Sequence, residues 1–273
     1  MDMPAERIDG VAWRQVVDIT GGMATRRQDR LAEEVPLAIH VDGEPLAVMM
    51  VSPCDLEDFA RGFALTELGI AGDDVASMEV RTLLEGVQLD LRTRHPLPTN
   101  APDRQRGLPG RSGCGICGQR NLEDVLRQPA RVGQGAVLGA PVLDAALAAL
   151  ASHQPLNRIT GAVHAAAWVT LDGVPTLVRE DVGRHNALDK LIGALVRPEF
   201  DPDTGFALIT SRASYEMVAK AAVAGIPLLA ALSAPTALAV DLANACGMTL
   251  VGFVRDGRHV VYSHAHRLQA ASR

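Results

Sequence analysis

The sequence predicts an α/β protein. A mainly parallel or mixed sheet is covered by helices, and a smaller N-terminal hairpin-and-helix region precedes it. Three observations lead there. The C-terminal third alternates apolar runs (Phe206–Thr210, Ile226–Leu232, Thr249–Val254) with helix-like segments ending at Gly225 and Gly247, the rhythm of parallel strands joined by helices. Asp42-Gly43 and Asp172-Gly173 each sit between two β-rich runs, a strong short-range hairpin signal. The 273 residues are 48% hydrophobic but only 3% aromatic, enough for one large core or two modest ones built from Ala, Val, Leu and Ile.

Residues 1–30 read as a flexible polar tail, with at most a short strand around Val16–Ile19. Residues 31–92 read as an N-terminal β/α subdomain. Val35–Val41 and Pro45–Val51 form its first hairpin, and Val75–Leu84 with Val87–Arg92 a second, turning at Glu85-Gly86. Between them Ser52-Pro53 and the early acids Asp55, Glu57 and Asp58 announce a helix, with Phe59 and Phe63 on its apolar face. Residues 93–120 carry four prolines and no periodicity, and loops of that length inside compact domains are often functional. A main domain fills residues 121–273. It holds helices Asn121–Arg127 and Val142–Ser152, a hairpin of Val163–Leu171 with Pro175–Arg179, and an amphipathic helix Asn186–Val196. Strand–helix alternation follows, closing on a strand His259–Tyr262.

A net charge of −6 argues against general nucleic-acid binding, which wants a basic field. The N-terminus lacks the charged-then-apolar pattern of a secretory leader. No apolar run reaches the ~20 residues that span a membrane. A cytoplasmic, reducing location is expected, where a C-x-x-C is more often metal-binding or catalytic than a structural disulfide.

That pair is Cys114 and Cys117, in S-G-C-G-I-C-G-Q-R. Between Arg92 and Arg120 stand six arginines and one acid, Asp103. Cationic neighbours favour the thiolate, the reactive form of cysteine. Structural zinc wants four ligands, and Cys54 and Cys246 stand alone. A thioredoxin-like pair should follow a strand and open a helix; this one follows a Pro/Gly-rich loop. A sulfur carrier needs an accessible, low-pKa cysteine on a movable arm, and a second cysteine three residues away can help release the sulfur. All three readings stay open on the residues alone, as does a surface pair without a role.

Arg179-Glu180-Asp181-Val182-Gly183-Arg184-His185-Asn186 lies where a strand hands over to a helix, a ligand position in α/β sheets. Taken alone, it reads rather more readily as a salt-bridged, capped helix start. Thr210-Ser211-Arg212-Ala213-Ser214 repeats the setting, suited to phosphate or to simple capping. In Phe253-Val254-Arg255-Asp256-Gly257-Arg258 an aromatic able to stack on a base precedes two arginines across a tight turn. His164, in G-A-V-H-A-A, is similar to the H-A-E of zinc deaminases, but Ala166 takes the glutamate's place. Cys54, at a helix start, has a setting for some thiolate character. It and Cys246 read as packing residues.

Taken together, these segments resemble the FdhD family of formate dehydrogenase accessory sulfurtransferases. The resemblance rests on Glu34–Leu37, Ser52–Glu57 with Gly62-Phe63, Cys114–Gly118, Gly161–Ala166, Arg179–Lys190, Thr210–Arg212, Ser214–Met217 and Phe253–Arg258, in family order from about residue 33 to the end. The run R-E-D-V-G-R-H-N-A-L-D-K is far more specific than any C-x-x-C. The resemblance implies a three-layer, cytidine-deaminase-like fold without zinc, commonly a homodimer. It implies sulfur transfer from a cysteine desulfurase to the molybdenum bis(molybdopterin guanine dinucleotide) cofactor of a formate dehydrogenase, the cofactor being a bound substrate. By position, Cys114 would carry the persulfide and Cys117 assist. Phe253, Val254, Arg255, Asp256, Gly257 and Arg258, with Arg212 and His185, would hold the guanine dinucleotide. Cys54 departs from the family's usual pattern.

Overall fold

The computed structural model describes residues 8–95, 129–197, 199–255 and 257–269. The segment carrying Cys114 and Cys117, the helix expected at 121–127, and Asp256 lie outside them.

The polar stretch before residue 33 is more ordered than its composition suggests. Strands β1 (Val11–Thr20) and β2 (Met23–Ala32) pair antiparallel over their whole length. Gly21 and Gly22 turn between them at φ 58 and 82°, the left-handed pair that a two-residue hairpin turn requires. The turn was legible as G-G. The full strands were not, because the centre of β2, Thr25–Arg30, is wholly polar.

Next comes a four-stranded sheet in the order β4-β3-β6-β5, formed by β3 (Val35–Val41), β4 (Glu44–Val51), β5 (Val75–Thr82) and β6 (Val87–Thr93). Both expected hairpins are present, and β3 runs parallel to β6 between them. Leu37, Ile39, Leu89 and Leu91 of this sheet bury against Phe59 and Phe63 of helix α1 (Leu56–Leu68). That is a compact aliphatic core with two aromatics.

The larger unit begins with β7 (Leu138–Gly139), α2 (Pro141–Leu150) and the short α3 (Pro155–Thr160). It continues through β8 (His164–Thr170), β9 (Pro175–Asp181), α4 (Arg184–Leu195), β10 (Gly205–Ile209), α5 (Tyr215–Val223) and β11 (Leu228–Ala231). Then follow α6 (Ala237–Cys246), β12 (Thr249–Arg255), β13 (Arg258–Ser263) and β14 (Leu268–Gln269), which pairs with β7. The main sheet has the order β13-β12-β11-β10-β8-β9. It is mixed: β10, β11 and β12 are parallel, β8 pairs antiparallel with both β10 and β9, and β13 pairs antiparallel with β12. The short connections from β8 to β9 and from β12 to β13 leave no room for the crossovers that parallel neighbours need. The expected predominance of parallel pairing therefore holds only at the centre.

Strand residues alternate between two cores. Ala207, Ile209, Leu229 and Ala231 face Leu188, Leu191, Met217, Ala221 and Leu242 of α4, α5 and α6. Phe206, Leu208, Leu228 and Ala230 face Leu143, Ala146 and Leu150 of α2. Helices thus cover both faces in three layers.

Helices α1 and α4 join the two units. A Cβ on Gly62 would lie 1.8 Å from the Asp189 carbonyl oxygen, and one on Gly193 would lie 1.8 Å from that of Asp58. Only glycine permits so close a crossing. No helix among the described residues is long and apolar enough to cross a membrane.

Candidate functional site

The segments singled out by sequence converge on one edge of the six-stranded sheet. Strands β10 and β11 end there, so the loops 210–214 and 232–236 form its rim. Strand β8 runs the other way and begins there, with His164 in register with Asp181 at the end of β9. Backbone bonds knit the rim together. The Thr210 amide donates to the Ala165 carbonyl at 3.0 Å, Thr236 to Ala213 at 3.0 Å, and Phe253 to Ser233 at 3.1 Å. Crevices beyond the carboxyl ends of parallel strands are where such sheets bind ligands.

Phe253 departs from ordinary strand geometry. Its φ is 53°, in the region that costs a β-carbon-bearing residue energy. Gly252 pairs with Val260 and Arg255 with Arg258, so Phe253 and Val254 together oppose one residue in a bulge. Bulges re-aim side chains and concentrate near functional sites. Val254 is buried and Phe253 half-buried, while Arg255, Gly257 and Arg258 are exposed. Arg212 is exposed on the neighbouring rim loop. Ser214 stands at the N-cap of α5 but makes no side-chain capping bond. Its hydroxyl oxygen is buried without a hydrogen-bond partner among the described residues. Thr236, by contrast, caps α6 by accepting from the Ala239 amide at 3.3 Å.

The run from Arg179 to Lys190 is largely an internal brace. Arg179 pairs with Asp58 at 2.7 Å. The Glu180 carboxylate accepts from the amides of Leu156 and Asn157, both at 2.8 Å, closing the start of α3. Burial pushes the Glu180 carboxyl up against the pull of those two amides. Asp181 accepts from the amides of Ser52 and Gly183 and from the Asn186 side chain, and it pairs with Lys190 at 2.7 Å. Lys190 also donates to the Ser52 carbonyl at 3.0 Å. One turn away, Lys220 contacts Asp189 at 2.8 Å and Glu67 at 2.7 Å. Burial disfavours the Lys220 ammonium, but the two carboxylates outweigh it and hold the lysine above its ordinary value.

His185 is buried, with Nε2 2.6 Å from a Glu216 carboxylate oxygen. His164 is half-buried. Burial first, then the Arg184 charge, hold its imidazole below 6.5, against the pull of Asp181. Cys54 lies 3.7 Å from the Lys190 ammonium, yet burial dominates and pushes the thiol up. Its helix-start position gives it no thiolate character, in contrast to the sequence expectation. Among the described residues no group of three His, Cys, Asp or Glu could hold a metal ion.

The structure therefore brings Phe253, Val254, Arg255, Gly257, Arg258, Arg212 and His185 to one rim. Cys114, Cys117 and Asp256 fall outside the described residues. Reading individual residues missed Glu216, Lys220 and the glycine crossing. The available signal was the pair Asp189-Lys190 inside helix α4, whose residues are otherwise mostly apolar.

Comparison with known proteins places the chain in a family. The model of the FdhD/NarQ family matches residues 32–269. A Xanthomonas campestris pv. campestris protein named sulfur carrier protein FdhD is 52% identical over 250 residues, covering 91% of this chain and 89% of its own. A Cupriavidus necator protein of the same name is 52% identical over 243 residues, covering 88% and 84%. The fold matches a crystal structure described as a formate dehydrogenase accessory protein from Desulfotalea psychrophila. The TM-score is 0.73 at 23% identity, over 95% of this chain and 99% of that one.

Proposed function

The chain belongs to the FdhD/NarQ family, and from that premise we propose that it is a cytoplasmic sulfur carrier serving a molybdenum-dependent formate dehydrogenase. The observation that carries this reading is 52% identity, across 91% of the chain, to a protein named as a sulfur carrier.

The chemistry follows from two thiols. The Cys114 thiolate attacks the terminal sulfur of a cysteine desulfurase persulfide. The donor's S–S bond breaks, an S–S bond forms on Cys114, and the donor leaves as a thiolate. This exchange involves no net oxidation, and it runs fastest when the attacking thiol is ionised near ambient pH. The Cys117 thiolate then attacks the inner sulfur of Cys114. A Cys114–Cys117 disulfide forms, and the outer sulfur departs as hydrosulfide for the molybdenum. The thiol pair supplies the two electrons, and cellular thiols reduce the disulfide afterwards.

The recipient is the bis(molybdopterin guanine dinucleotide) cofactor, as substrate. Phe253 stacks on guanine, and Arg255, Arg258 and Arg212 meet the phosphates; Val254, Asp256 and Gly257 belong to the same segment. The buried, unpaired Ser214 hydroxyl offers a further donor at the start of α5. His185 completes the set from beneath, positioned by Glu216. On the same reading the six-stranded unit is a cytidine-deaminase-like layer without zinc, and the protein assembles as a homodimer.

The test is activation of formate dehydrogenase in cells lacking the carrier. Cys114→Ala and Cys117→Ala are each expected to abolish it while guanine nucleotide binding persists. Full activation by the double variant would overturn sulfur carrying and leave a cofactor chaperone.

A further inference from the structure

We propose that the β1–β2 ribbon is a docking arm for the protein that donates the sulfur, a partner presenting an apolar patch flanked by carboxylates. The proposal rests on the sulfur-carrier reading above.

The ribbon has two chemically distinct faces, because residues directly paired across antiparallel strands point the same way. On one face Ala12 is paired with Leu31, Arg14 with Asp29, Val16 with Arg27, Asp18 with Thr25 and Thr20 with Met23. Arg27 bonds both Asp18, at 2.9 Å, and Asp29, at 2.8 Å. The charged centre of that face neutralises itself, and its exposed apolar side chains, Leu31 and Met23, stand apart at its two ends. On the other face Trp13 is paired with Arg30, Gln15 with Gln28, Val17 with Arg26 and Ile19 with Ala24. It bears three large apolar side chains, two arginines and no carboxylate. Trp13, Val17 and Ile19 are 43, 59 and 70% exposed, and Arg30 lies over the Trp13 ring at 5.8 Å. Clustered exposed apolar residues mark interaction surfaces. Aromatic and arginine anchors dominate the energetics of such surfaces.

Charge selects the occupant. Two copies of this face placed together would set Arg26 and Arg30 against their own kind, a like-charge cost that disfavours self-pairing. A surface with carboxylates around an apolar patch fits both features.

Position selects the role. Gly10 closes the ribbon by accepting from the Glu33 amide at 2.8 Å. It packs where a Cβ would lie 3.2 Å from Leu156 and 3.9 Å from the Cys54 sulfur. Leu156 in turn is bonded to Glu180 on β9. The arm is thus rooted beside β9, at one end of the six-stranded sheet. The arginine-bearing hairpin of β12 and β13 lies at the other end, four strand spacings or roughly 19 Å away. A partner held by the arm is different from the one that presents the cofactor to Arg255 and Arg258.

The test measures the rate at which full-length protein acquires sulfur on Cys114 as purified cysteine desulfurase is varied. The variants are Val17→Ser with Ile19→Ser, and Arg26→Glu with Arg30→Glu. Each is expected to raise the half-saturating donor concentration roughly tenfold, the effect of losing about 1.4 kcal/mol of contact. The maximal rate and loading from glutathione persulfide should stay as in the unmodified protein. Unchanged donor dependence in both variants overturns the proposal. So does loss of dimer in sedimentation with donor dependence unchanged, which makes the face a self-interface. If the unmodified protein takes sulfur from neither donor, the sulfur-carrier reading itself has failed and the arm's role falls with it. Loading from glutathione persulfide alone, with none from the desulfurase, overturns the arm and spares the carrier.

Discussion

Lys190 is one of the side chains that tie the two halves of the molecule together. Its fully buried ammonium meets Asp181 of one unit and the Ser52 carbonyl of the other. Removing one partner of a buried pair leaves an uncompensated charge. Lys190→Met is therefore expected to lower unfolding free energy by about 3–5 kcal/mol, read from urea denaturation, and a loss under 1 kcal/mol would refute the brace. Phe253 makes a different statement, about strain. At φ 53° a glycine fits where alanine does not, so Phe253→Gly should be more stable than Phe253→Ala by about 1 kcal/mol. Both should weaken guanine nucleotide binding, and equal stability of the two would mean that the left-handed backbone is not held in solution. His164 adds a pH dependence. Its folded-state pKa is depressed, so the unfolded chain binds the proton first as pH falls. Stability from this site is complete above about 6.5 and declines below it. His164→Gln should flatten that part of the stability–pH curve, and an unaltered slope would assign it to another group.

At the scale of elements, the α1–α4 crossing controls how the four-stranded and six-stranded units meet. A methyl on Gly62 or Gly193 must displace backbone rather than a mobile side-chain tip. Each glycine-to-alanine change is expected to cost about 3 kcal/mol or more, although alanine is the better helix former. A gain in melting temperature for either variant would show that the crossing is looser than drawn. Hairpins and helices were legible because their signals are local: Asp-Gly turns, Pro at helix starts, and apolar periodicity. Pairing of β3 with β6 and the insertion of β8 between β10 and β9 were not. Those depend on contacts between distant segments that no single window contains. The β1–β2 ribbon was legible only as a short strand around Val16–Ile19, for a third reason. Neither of its faces enters the main core, so its sequence lacks the buried alternation that announces a strand.

At the scale of the whole molecule, the rim of the six-stranded sheet is where the dispersed motifs become one place. His164, the Asp181–His185 turn, Thr210–Ser214 and Phe253 are far apart in sequence and share an edge only because β8, β9, β10 and β12 lie in one sheet. Each motif was visible alone, and residue chemistry left ligand binding and helix capping both open. The structure separates them in part. Much of Arg179–Lys190 is bracing, while Phe253, Arg255, Arg258 and Arg212 remain partly or fully open to solvent. A framework this braced holds the rim steady. The central claim is that Cys114 carries the sulfur. Its most direct test is peptide mass spectrometry after incubation with a cysteine desulfurase and L-cysteine, beside Cys114→Ala. The account predicts a mass gain of one sulfur atom on the Cys114 peptide, absent from the variant. No gain on the Cys114 or Cys117 peptide, from protein that still activates formate dehydrogenase, would contradict it.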